Sequence, residues 1–444
     1  MIQYWGFNLS NSGALTKIQS IILISIVVVT AVAAYVLWSG EGESSETIKI
    51  GVLADLDALY GKQILRGTIL AAEQINAEGG ILGKQIEVVG KDSDVESGSS
   101  DPVIINTALT KLLTVDKVDF IVGLAADQGF MIQELIAQHK KIFFDMGTTE
   151  DAYTQRVLDD YDTYRYYFRV TFNSSSTFQG FTEGFLYMRE LVGLNKVGYL
   201  AEDIGVTKNI AEVLDVVLPE LDFDLVYRGT SPVSEVDFSS YFAAAEEAGV
   251  EVLVPLMVFQ GIPFVKEYHD RQSPMVVYGG SIGSSVAGSD GWVNTDGKCE
   301  YIAVPAYALD AVYPLTSKTL PFREEYIERW SEIPLGLAAS GYDVLRFILP
   351  DAIRRAETLE VNAVIDALET TSVETINTKN FVFTPSHDQM IGENFNDPEY
   401  EYGMSIGFQW QDGNQVPVYP RKLMEKAGSS YIFPDWPGPW DKIS

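Results

Sequence analysis

Short apolar runs alternate along this chain with longer segments in which apolar residues recur at helical spacing. In the first unit, the apolar run at residues 48–54 is followed by a segment whose apolar and small side chains fall on one helical face: Ile64, Thr68, Ala71 and Ile75. The dipeptide Gly79-Gly80 then supplies the left-handed conformation that ends a helix. A second apolar run, residues 85–89, would pair beside the first through a right-handed crossover. The pattern predicts a strand–helix–strand unit with parallel strands.

Further apolar runs continue this alternation. They lie at residues 120–122, 142–144, 196–200, 252–254 and 275–278. Strands that alternate with helices in this way form parallel sheets covered by helices. We therefore predict an α/β fold, and because one sheet would be too long for 444 residues, we predict two lobes.

A longer apolar run, residues 21–38, lies ahead of the first strand. As a helix it would span roughly 27 Å at 1.5 Å per residue, enough to cross the hydrocarbon core of a bilayer. Lys17 precedes the run and acidic residues follow it, so we predict a short cytoplasmic N-terminus, residues 1–20, and an extracytoplasmic main part joined by a linker, residues 39–46. The alternative is a cleaved signal peptide, for which Ala31-Val32-Ala33 offers a cleavage site.

Charge and cysteine content narrow the classes of function. The chain has 62 acidic and 31 basic side chains, a net charge of -31 that disfavours nucleic acid as a partner because phosphates would be repelled. The single cysteine, Cys299, excludes an intrachain disulfide and a multi-cysteine metal cluster. His139, His269 and His387 are each isolated in the sequence and form no metal-binding or catalytic motif, so we expect all three to lie at the surface. We predict no catalytic residues, no cofactor and no metal site, and hence a protein that is not an enzyme.

The residues of the first unit resemble one large family. A Tyr60-Gly61 pair follows the first strand, and residues 71–83 have the form A-x-x-x-I-N-x-x-G-G-I-x-G. Both are similar to the type I solute-binding proteins, the extracytoplasmic receptors of ABC importers for branched-chain amino acids, amides and urea. The resemblance runs from about residue 47 to residue 440. It implies two Rossmann-like lobes joined by a three-crossover hinge, a small-molecule ligand between them and an ABC permease as partner.

The resemblance also implies where the chain passes between the lobes. The crossovers fall at three places: residues 166–173, 303–306 and 377–380. The predicted bounds are 47–170 and 306–376 for lobe 1, 171–305 and 380–420 for lobe 2, and 421–444 for a C-terminal tail that packs along a lobe.

Candidate ligand contacts in the first lobe lie in loops that follow strands, since ligands of open α/β sheets bind beyond the carboxyl ends of the strands. The resemblance implies contacts from Tyr60, Ala126 and Asp127, and from the turn Gly147-Thr148-Thr149, which is similar to the family's S-P-x-x-T turn. In that turn a backbone N–H and a threonine hydroxyl hold a ligand oxygen. Asp127 stands where the family commonly has a serine, and as a helix N-cap it would be an ordinary structural residue. The alternative to ligand contact is that the Tyr60 ring packs between loops and that Thr149 caps a helix.

Candidate contacts in the second lobe depart from the family pattern. They are Ile204, Phe259, Gln260 and Ser281, and Tyr342 would complete the cleft wall. Ile204 replaces the family's aromatic residue, and Ser281 stands where amino-acid binders carry a carboxylate that pairs with the ligand's ammonium group. Because a buried ammonium without a partner costs several kcal/mol, recognition of α-amino acids would then require Asp127 as the countercharge. The sequence favours amides, urea-like solutes or carboxylates as ligands.

The sequence thus predicts a receptor whose two lobes close on a small polar ligand, amino acid-, amide- or urea-like, and deliver it to an ABC importer. One alternative is the ligand-sensing domain of a signalling system. A secreted hydrolase is disfavoured, because the chain has no H-x-x-x-H, G-x-S-x-G or G-K-[ST] pattern.

Overall fold

The computed structural model of the protein describes residues 47–94, 101–125, 128–288, 290–306, 313–392, 401–403 and 406–442. The predicted membrane anchor at residues 21–38, with the segments on either side of it, lies outside these residues. So do two of the candidate contacts, Ala126 and Asp127. Within the described ranges no helix has both the length and the apolar character needed to cross a membrane.

The first lobe is built on a parallel sheet. Its strands are β1 (Ile48–Ala54), β2 (Ile86–Asp92), β3 (Phe120–Gly123), β4 (Ile142–Asp145) and β5 (Tyr167–Arg169). The order across the sheet is β2-β1-β3-β4-β5, with Ile50 of β1 opposite both Val88 and Phe120. Because the chain proceeds from β1 first to one side and then to the other, the loops after β1 and β3 diverge, which opens a crevice where ligands of such sheets bind.

The helices that follow these strands are α1 (Leu59–Ala77), α2 (Pro102–Lys111), α3 (Gly129–His139), α4 (Asp151–Asp159) and α5 (Tyr161–Tyr164). The predicted buried face of α1 is confirmed. Gly79 and Gly80, with φ of 98° and 85°, end this helix in the left-handed region. The Asn76 side chain then exchanges two hydrogen bonds with the backbone of Ile86, at 2.7 and 2.9 Å, which joins the end of α1 to the start of β2.

The second lobe has a second parallel sheet. Its strands are β6 (Lys196–Glu202), β7 (Asp224–Ser231), β8 (Val252–Met257), β9 (Val276–Val277) and β10 (Ser281–Ile282). They run in the order β10-β8-β6-β7, and β9 also pairs with β8. The helices are α6 (Ser174–Val192), α7 (Gly205–Glu220), α8 (Ser239–Glu247), α9 (Gly261–Arg271), α10 (Ser284–Ala287) and α11 (Gly291–Asn294).

The rest of the described chain completes both lobes. An antiparallel sheet consists of β11 (Ala303–Ala306), β12 (Ile406–Gln411) and β13 (Asn414–Tyr419). The remaining helices are α12 (Thr319–Trp330), α13 (Gly336–Asp343), α14 (Leu349–Ala356), α15 (Val361–Leu368) and α16 (Arg421–Ala427). Trp436 and Trp440 of the C-terminal tail pack into the apolar core of the second lobe, so the tail lies along that lobe.

The third crossover lies later than predicted. Phe381 and Phe383 belong to the apolar core of the first lobe, and the Phe383 ring contacts that of Phe168 in β5 with 4.9 Å between centroids. The segment around Asp388 also extends the sheet, since Arg169 of β5 exchanges backbone hydrogen bonds with the residues on either side of Asp388. The predicted start of lobe 2 at residue 380 is therefore wrong, because Phe381 and Phe383 pack in the core of the first lobe and Asp388 pairs with β5.

The predictions for Cys299 and His387 have different outcomes. Cys299 is buried and unpaired, as expected, and burial raises the pKa of its thiol to about 12. His387 is 1% exposed and not a surface residue. Its ring stacks on Phe168 at 4.0 Å, and its Nε2 lies 3.0 Å from Oε1 of Glu369. The prediction of a surface position was wrong for His387, because an isolated histidine in a polar stretch of sequence gives no sign of this pairing.

Candidate functional site

A cavity of about 490 Å³ opens between the lobes. From the first lobe it is lined by the start of α1, at Leu59 and Gln63, and by residues 327–335. Ser285 and Asn294 line it from the second lobe. Leu59 begins α1, which follows β1, and Ser285 lies in α10, which follows β10, so helices that follow strands of both parallel sheets face the same space. This is the position that ligands of open α/β sheets take.

Asp145, the last residue of β4, joins two loops of the first lobe. Its carboxylate is fully buried, and Oδ1 accepts backbone N–H groups from Ala125, Gly147 and Thr148 at 3.2–3.4 Å. Oδ2 accepts the hydroxyls of Thr148 and Tyr167. Burial raises the pKa of this carboxyl above its ordinary value, although the hydrogen bonds oppose the shift. One side chain therefore fixes the loops after β3 and β4 relative to each other.

Because of these hydrogen bonds, the three residues of the predicted turn Gly147-Thr148-Thr149 do not all face the same way. Gly147 and Thr149 are exposed at the carboxyl edge of the sheet. A Cβ at Gly147 would lie 1.7 Å from Cδ1 of Leu124, so glycine lets the two loops approach without displacing that side chain. Thr148 is 4% exposed and its hydroxyl is bound by Asp145, so the prediction that Thr148 contacts the ligand is wrong.

The same turn is attached to the first crossover. The carbonyl oxygen of Thr149 accepts the backbone N–H and the hydroxyl of Ser174, at 2.6 and 2.9 Å. Two residues on, the Asp151 carboxylate accepts the backbone N–H and the hydroxyl of Ser175, at 3.2 and 2.6 Å. Because Ser174 and Ser175 begin α6, the turn and the hinge-side end of this helix are held together.

A buried arginine supports the turn from within the lobe. Arg169 is fully buried, and its Nε lies 2.6 Å from Oδ1 of Asp388. Its Nη1 donates to the carbonyl oxygens of Glu150 at 2.7 Å and Thr148 at 3.4 Å, while Nη2 donates to the hydroxyl of Thr154 at 2.8 Å. The guanidinium thus holds the backbone on both sides of Thr149. Sequence reasoning missed Arg169 and Asp388, because they are far apart in the chain.

The second lobe has its own buried carboxylate at the carboxyl end of a strand. Glu202 ends β6, is fully buried, and accepts the backbone N–H groups of Val258, Phe259 and Gln260 at 2.6–3.1 Å. These groups lie directly before α9, and Gln260 is the N-cap residue of that helix, whose N–H has no partner within the helix. Glu202 therefore caps the start of α9 and fixes the loop after β8.

The predicted contacts of the second lobe lie near this loop. Phe259 is 62% exposed, and Ile204 is half-buried at the start of α7. Ser281 is exposed, and its hydroxyl donates to the carbonyl oxygen of Met257 at 3.2 Å. The side-chain amide of Gln260 donates to the carbonyl oxygen of Val233 at 2.7 Å, so it braces a neighbouring loop. In the first lobe Tyr60, 39% exposed, lies beside Leu59 of the cavity wall.

Tyr342 does not line the cleft. It is 5% exposed, its ring packs on Phe322 at 4.6 Å, and its hydroxyl bonds the side chain of Gln74. Gln74 lies fourteen residues beyond Tyr60 on α1, roughly 21 Å away at 1.5 Å per residue. The prediction of a cleft-wall role for Tyr342 was wrong, and the wall is formed instead by residues 327–335. Gln63 holds that segment by bonding the backbone of Ile333 and Leu335.

In the part of the chain that the structure describes, no group of three or more His, Cys, Asp or Glu side chains is placed to hold a metal ion. The predicted contacts that the structure describes offer exposed aromatic, hydroxyl and backbone groups on two lobes with separate cores, but none of them lines the cavity of about 490 Å³. Such an arrangement can bind and enclose a small molecule.

Comparison with known sequences gives a family and several relatives. Residues 47–393 match the family model described as periplasmic binding protein. The Leu/Ile/Val-binding protein homolog 7 of Brucella abortus (strain 2308) is 23% identical over 413 residues, which cover 88% of this chain and 96% of that protein. The Leu/Ile/Val-binding protein homolog 2 of the same strain is 30% identical over 218 residues, which cover 48% of this chain and 54% of that protein.

Solved structures share the fold. A putative branched-chain amino acid ABC transporter protein from Silicibacter pomeroyi has a TM-score of 0.73 at 18% identity, covering 88% of this chain and 100% of its own. LivJ from Streptococcus pneumoniae, a branched-chain amino acid transporter substrate binding protein solved with isoleucine, has a TM-score of 0.64 at 21% identity, covering 84% of this chain and 100% of its own. With the two-lobed architecture and a family match over most of the chain, the protein belongs to the periplasmic binding protein family and has the type I fold.

Proposed function

We propose that this protein is an extracytoplasmic receptor that captures a small polar solute, amino acid-, amide- or urea-like, and delivers it to an ABC importer. The observation that carries the proposal is the cavity of about 490 Å³ between two lobes with separate cores, lined from each lobe by a helix that follows a strand of its parallel sheet. A ligand in contact with both lobes stabilises the closed arrangement by its greater affinity for that state. The closed form would then dock on the permease.

The names of the relatives support this ligand size and this partner. The Brucella relatives are named as homologues of Leu/Ile/Val-binding proteins. Two of the similar structures were solved with isoleucine and with leucine, and both are described as substrate-binding proteins of transporters. A cavity of about 490 Å³ also lies within the usual range for small-molecule sites.

Replacing Thr149 or Tyr60 by alanine is expected to weaken ligand binding about tenfold each, with little change in melting temperature. Thr149 is exposed in the turn after β4 and Tyr60 is exposed in the first turn of α1, so each would contribute contact with a ligand and little to the core. The ligand is first identified by native mass spectrometry of the purified full-length protein, and affinities are then measured by calorimetry. Thr114→Ala, an exposed threonine after α2 and away from this edge, is the matched control. Unchanged affinity in both variants would sink the site assignment.

We also propose that residues 21–38 remain as a membrane anchor, with the N-terminus inside and the lobes outside the cell membrane. The proposal rests on the apolar length of this run, which continues beyond the Ala31-Val32-Ala33 cleavage site. Intact-mass analysis of protein recovered from the membrane fraction is expected to show a chain that begins near Met1. A mature N-terminus near Ala34 would show instead that the run is a cleaved signal peptide.

A further inference from the structure

We propose that Asp290 of the second lobe and Lys62 of the first lobe form an ion pair when the lobes close, and that this pair holds the two walls of the interlobe cavity together. Neither residue is among the candidate ligand contacts. The inference rests on the proposed function, because it concerns the closure that traps the ligand. It adds residues that stabilise the closed state whichever solute is bound.

The two walls of the cavity each carry one acidic residue. Among the residues that the structure describes, those lining the cavity include two charged side chains, Glu332 from the first lobe and Asp290 from the second. Closure brings these walls together, and two carboxylates that approach each other repel. A cation between them is therefore needed for the closed state to be stable.

The first lobe supplies that cation. Glu332 has two basic partners from α1, Lys62 with Nζ at 3.3 Å and Arg66 through Nη1. The Arg66 guanidinium also lies over the Trp330 ring, 5.0 Å from its centroid, and the Arg66 side chain is 22% exposed against 33% for Lys62. Two cations against one carboxylate leave an excess of positive charge on this wall, and Lys62 is the more exposed of the two.

The second lobe presents an acid without a partner. Asp290 is exposed and is the N-cap residue of the short helix α11, yet its side chain accepts no capping hydrogen bond. Within the described part of the chain its carboxylate has no ion pair, and residues 272–297 contain no Lys or Arg that could provide one. The wall around it is ordered by Asn294, whose side-chain amide donates to the carbonyl oxygen of Ser285 at 2.7 Å. The Asp290 carboxylate is therefore available to a cation of the opposite wall.

Closure would place four charges of alternating sign in a row across the cavity: Arg66, Glu332, Lys62 and Asp290. The ammonium group of Lys62 has three donors on a flexible stem, so it can bond both carboxylates at once. An isolated exposed pair contributes little to stability, whereas a network of several charges contributes more. Because the contact with Asp290 exists only when the lobes are together, its whole contribution favours the closed state over the open one.

The experiment follows closure with two thiols placed on opposite walls of the cavity, Ser285→Cys and Ser331→Cys, in the full-length protein. The native Cys299 is buried, so the introduced thiols are the accessible ones. A short bismaleimide can join them only while the walls are close, and intact-mass analysis over time gives the rate of cross-linking. Because the reagent reacts across the closed state, this rate reports the closed population and requires no known ligand.

In this thiol variant, adding Asp290→Lys is expected to slow cross-linking about fivefold, and so is adding Lys62→Glu, because each change places like charges on the two walls. The two changes together are expected to restore the rate to within about twofold of the starting variant, because the charges are again opposite. Glu212→Lys reverses a charge on the exposed face of α7 and is the matched control, for which the rate is expected to stay unchanged.

Equal rates for Asp290→Lys and Glu212→Lys, or single changes that the double change does not rescue, would overturn the ion pair and leave the proposed receptor function standing. No cross-linking in the starting thiol variant would overturn closure itself, and with it both the inference and the proposed function. If Asp290→Lys does not fold, Asp290→Asn decides the question. This variant is expected to cross-link about twofold more slowly and to lose the dependence of the rate on NaCl concentration, and an unchanged salt dependence would contradict the pair.

Discussion

Replacing Arg169 by methionine is expected to lower the free energy of unfolding by about 3–5 kcal/mol, because the change leaves the Asp388 carboxylate buried without its cation. The guanidinium also donates to Thr154 and to the carbonyl oxygens of Thr148 and Glu150, and these acceptors lose their partner as well. Methionine fills a similar volume, so the loss measures charge and hydrogen bonding more than a cavity. Urea unfolding followed by circular dichroism measures the effect.

An exposed ion pair provides the control. Arg228 lies 2.8 Å from Asp215 on the surface of the second lobe, and Arg228→Met is expected to change stability by less than about 1 kcal/mol. Adding Asp388→Asn to Arg169→Met is expected to recover part of the loss, because it removes the unpaired charge. If Arg169→Met costs no more than Arg228→Met, the buried pair does not stabilise the first lobe.

Replacing Asp343 by asparagine is expected to change the way stability depends on pH. Asp343 is buried in α13 and accepts the backbone N–H of Ile376 at 2.9 Å. Burial raises the pKa of its carboxyl group from 3.8 to about 7. The folded protein therefore keeps this proton to a higher pH than the unfolded chain. The stability that the protonated form contributes is complete below about pH 4 and is lost as the pH rises through 7.

The size of the effect follows from the interval between the two pKa values. Each pH unit is worth about 1.4 kcal/mol, so between pH 4.5 and 7.5 the stability of Asp343→Asn relative to wild type is expected to rise by about 3 kcal/mol. Asparagine keeps an acceptor oxygen for Ile376. Thr114→Ala, which removes no titratable group, is expected to show a constant difference over this range. A constant difference for Asp343→Asn too would mean that its carboxyl group titrates in the fold as it does in the unfolded chain.

The sequence was sufficient for features that depend on local pattern. The alternation of apolar runs predicted both parallel sheets, and helical spacing predicted the buried face of α1. The left-handed glycines at Gly79-Gly80 were predicted because few other residues adopt that conformation. The third crossover could not be found in this way. Phe381 and Phe383 lie in a short irregular segment, and which core they join is decided by contacts with residues such as Phe168.

The site was predicted only in part, for a similar reason. Thr148 and Thr149 are adjacent and chemically alike, and only the position of Asp145 shows that one hydroxyl turns inward. A tyrosine such as Tyr342 is equally compatible with a core position and with a cleft wall, so its residue type alone does not distinguish the two. Asp145 and Glu202 could have been noticed, since each is an acidic residue at the end of an apolar strand run. Such a carboxylate is buried when its strand is, and it then requires donors from neighbouring loops.

The interleaving of the lobes along the chain has a consequence for how the protein is made. Arg169 and Asp388, which pair in the first lobe, are separated by 219 positions. The core of the second lobe includes Phe185 near its start and Trp436 in the C-terminal tail. Neither core is complete until nearly the whole chain has been synthesised, and contacts so distant in sequence form slowly. This delay suits a polypeptide that passes through a membrane before it folds, because no finished N-terminal lobe is present early enough to block its passage.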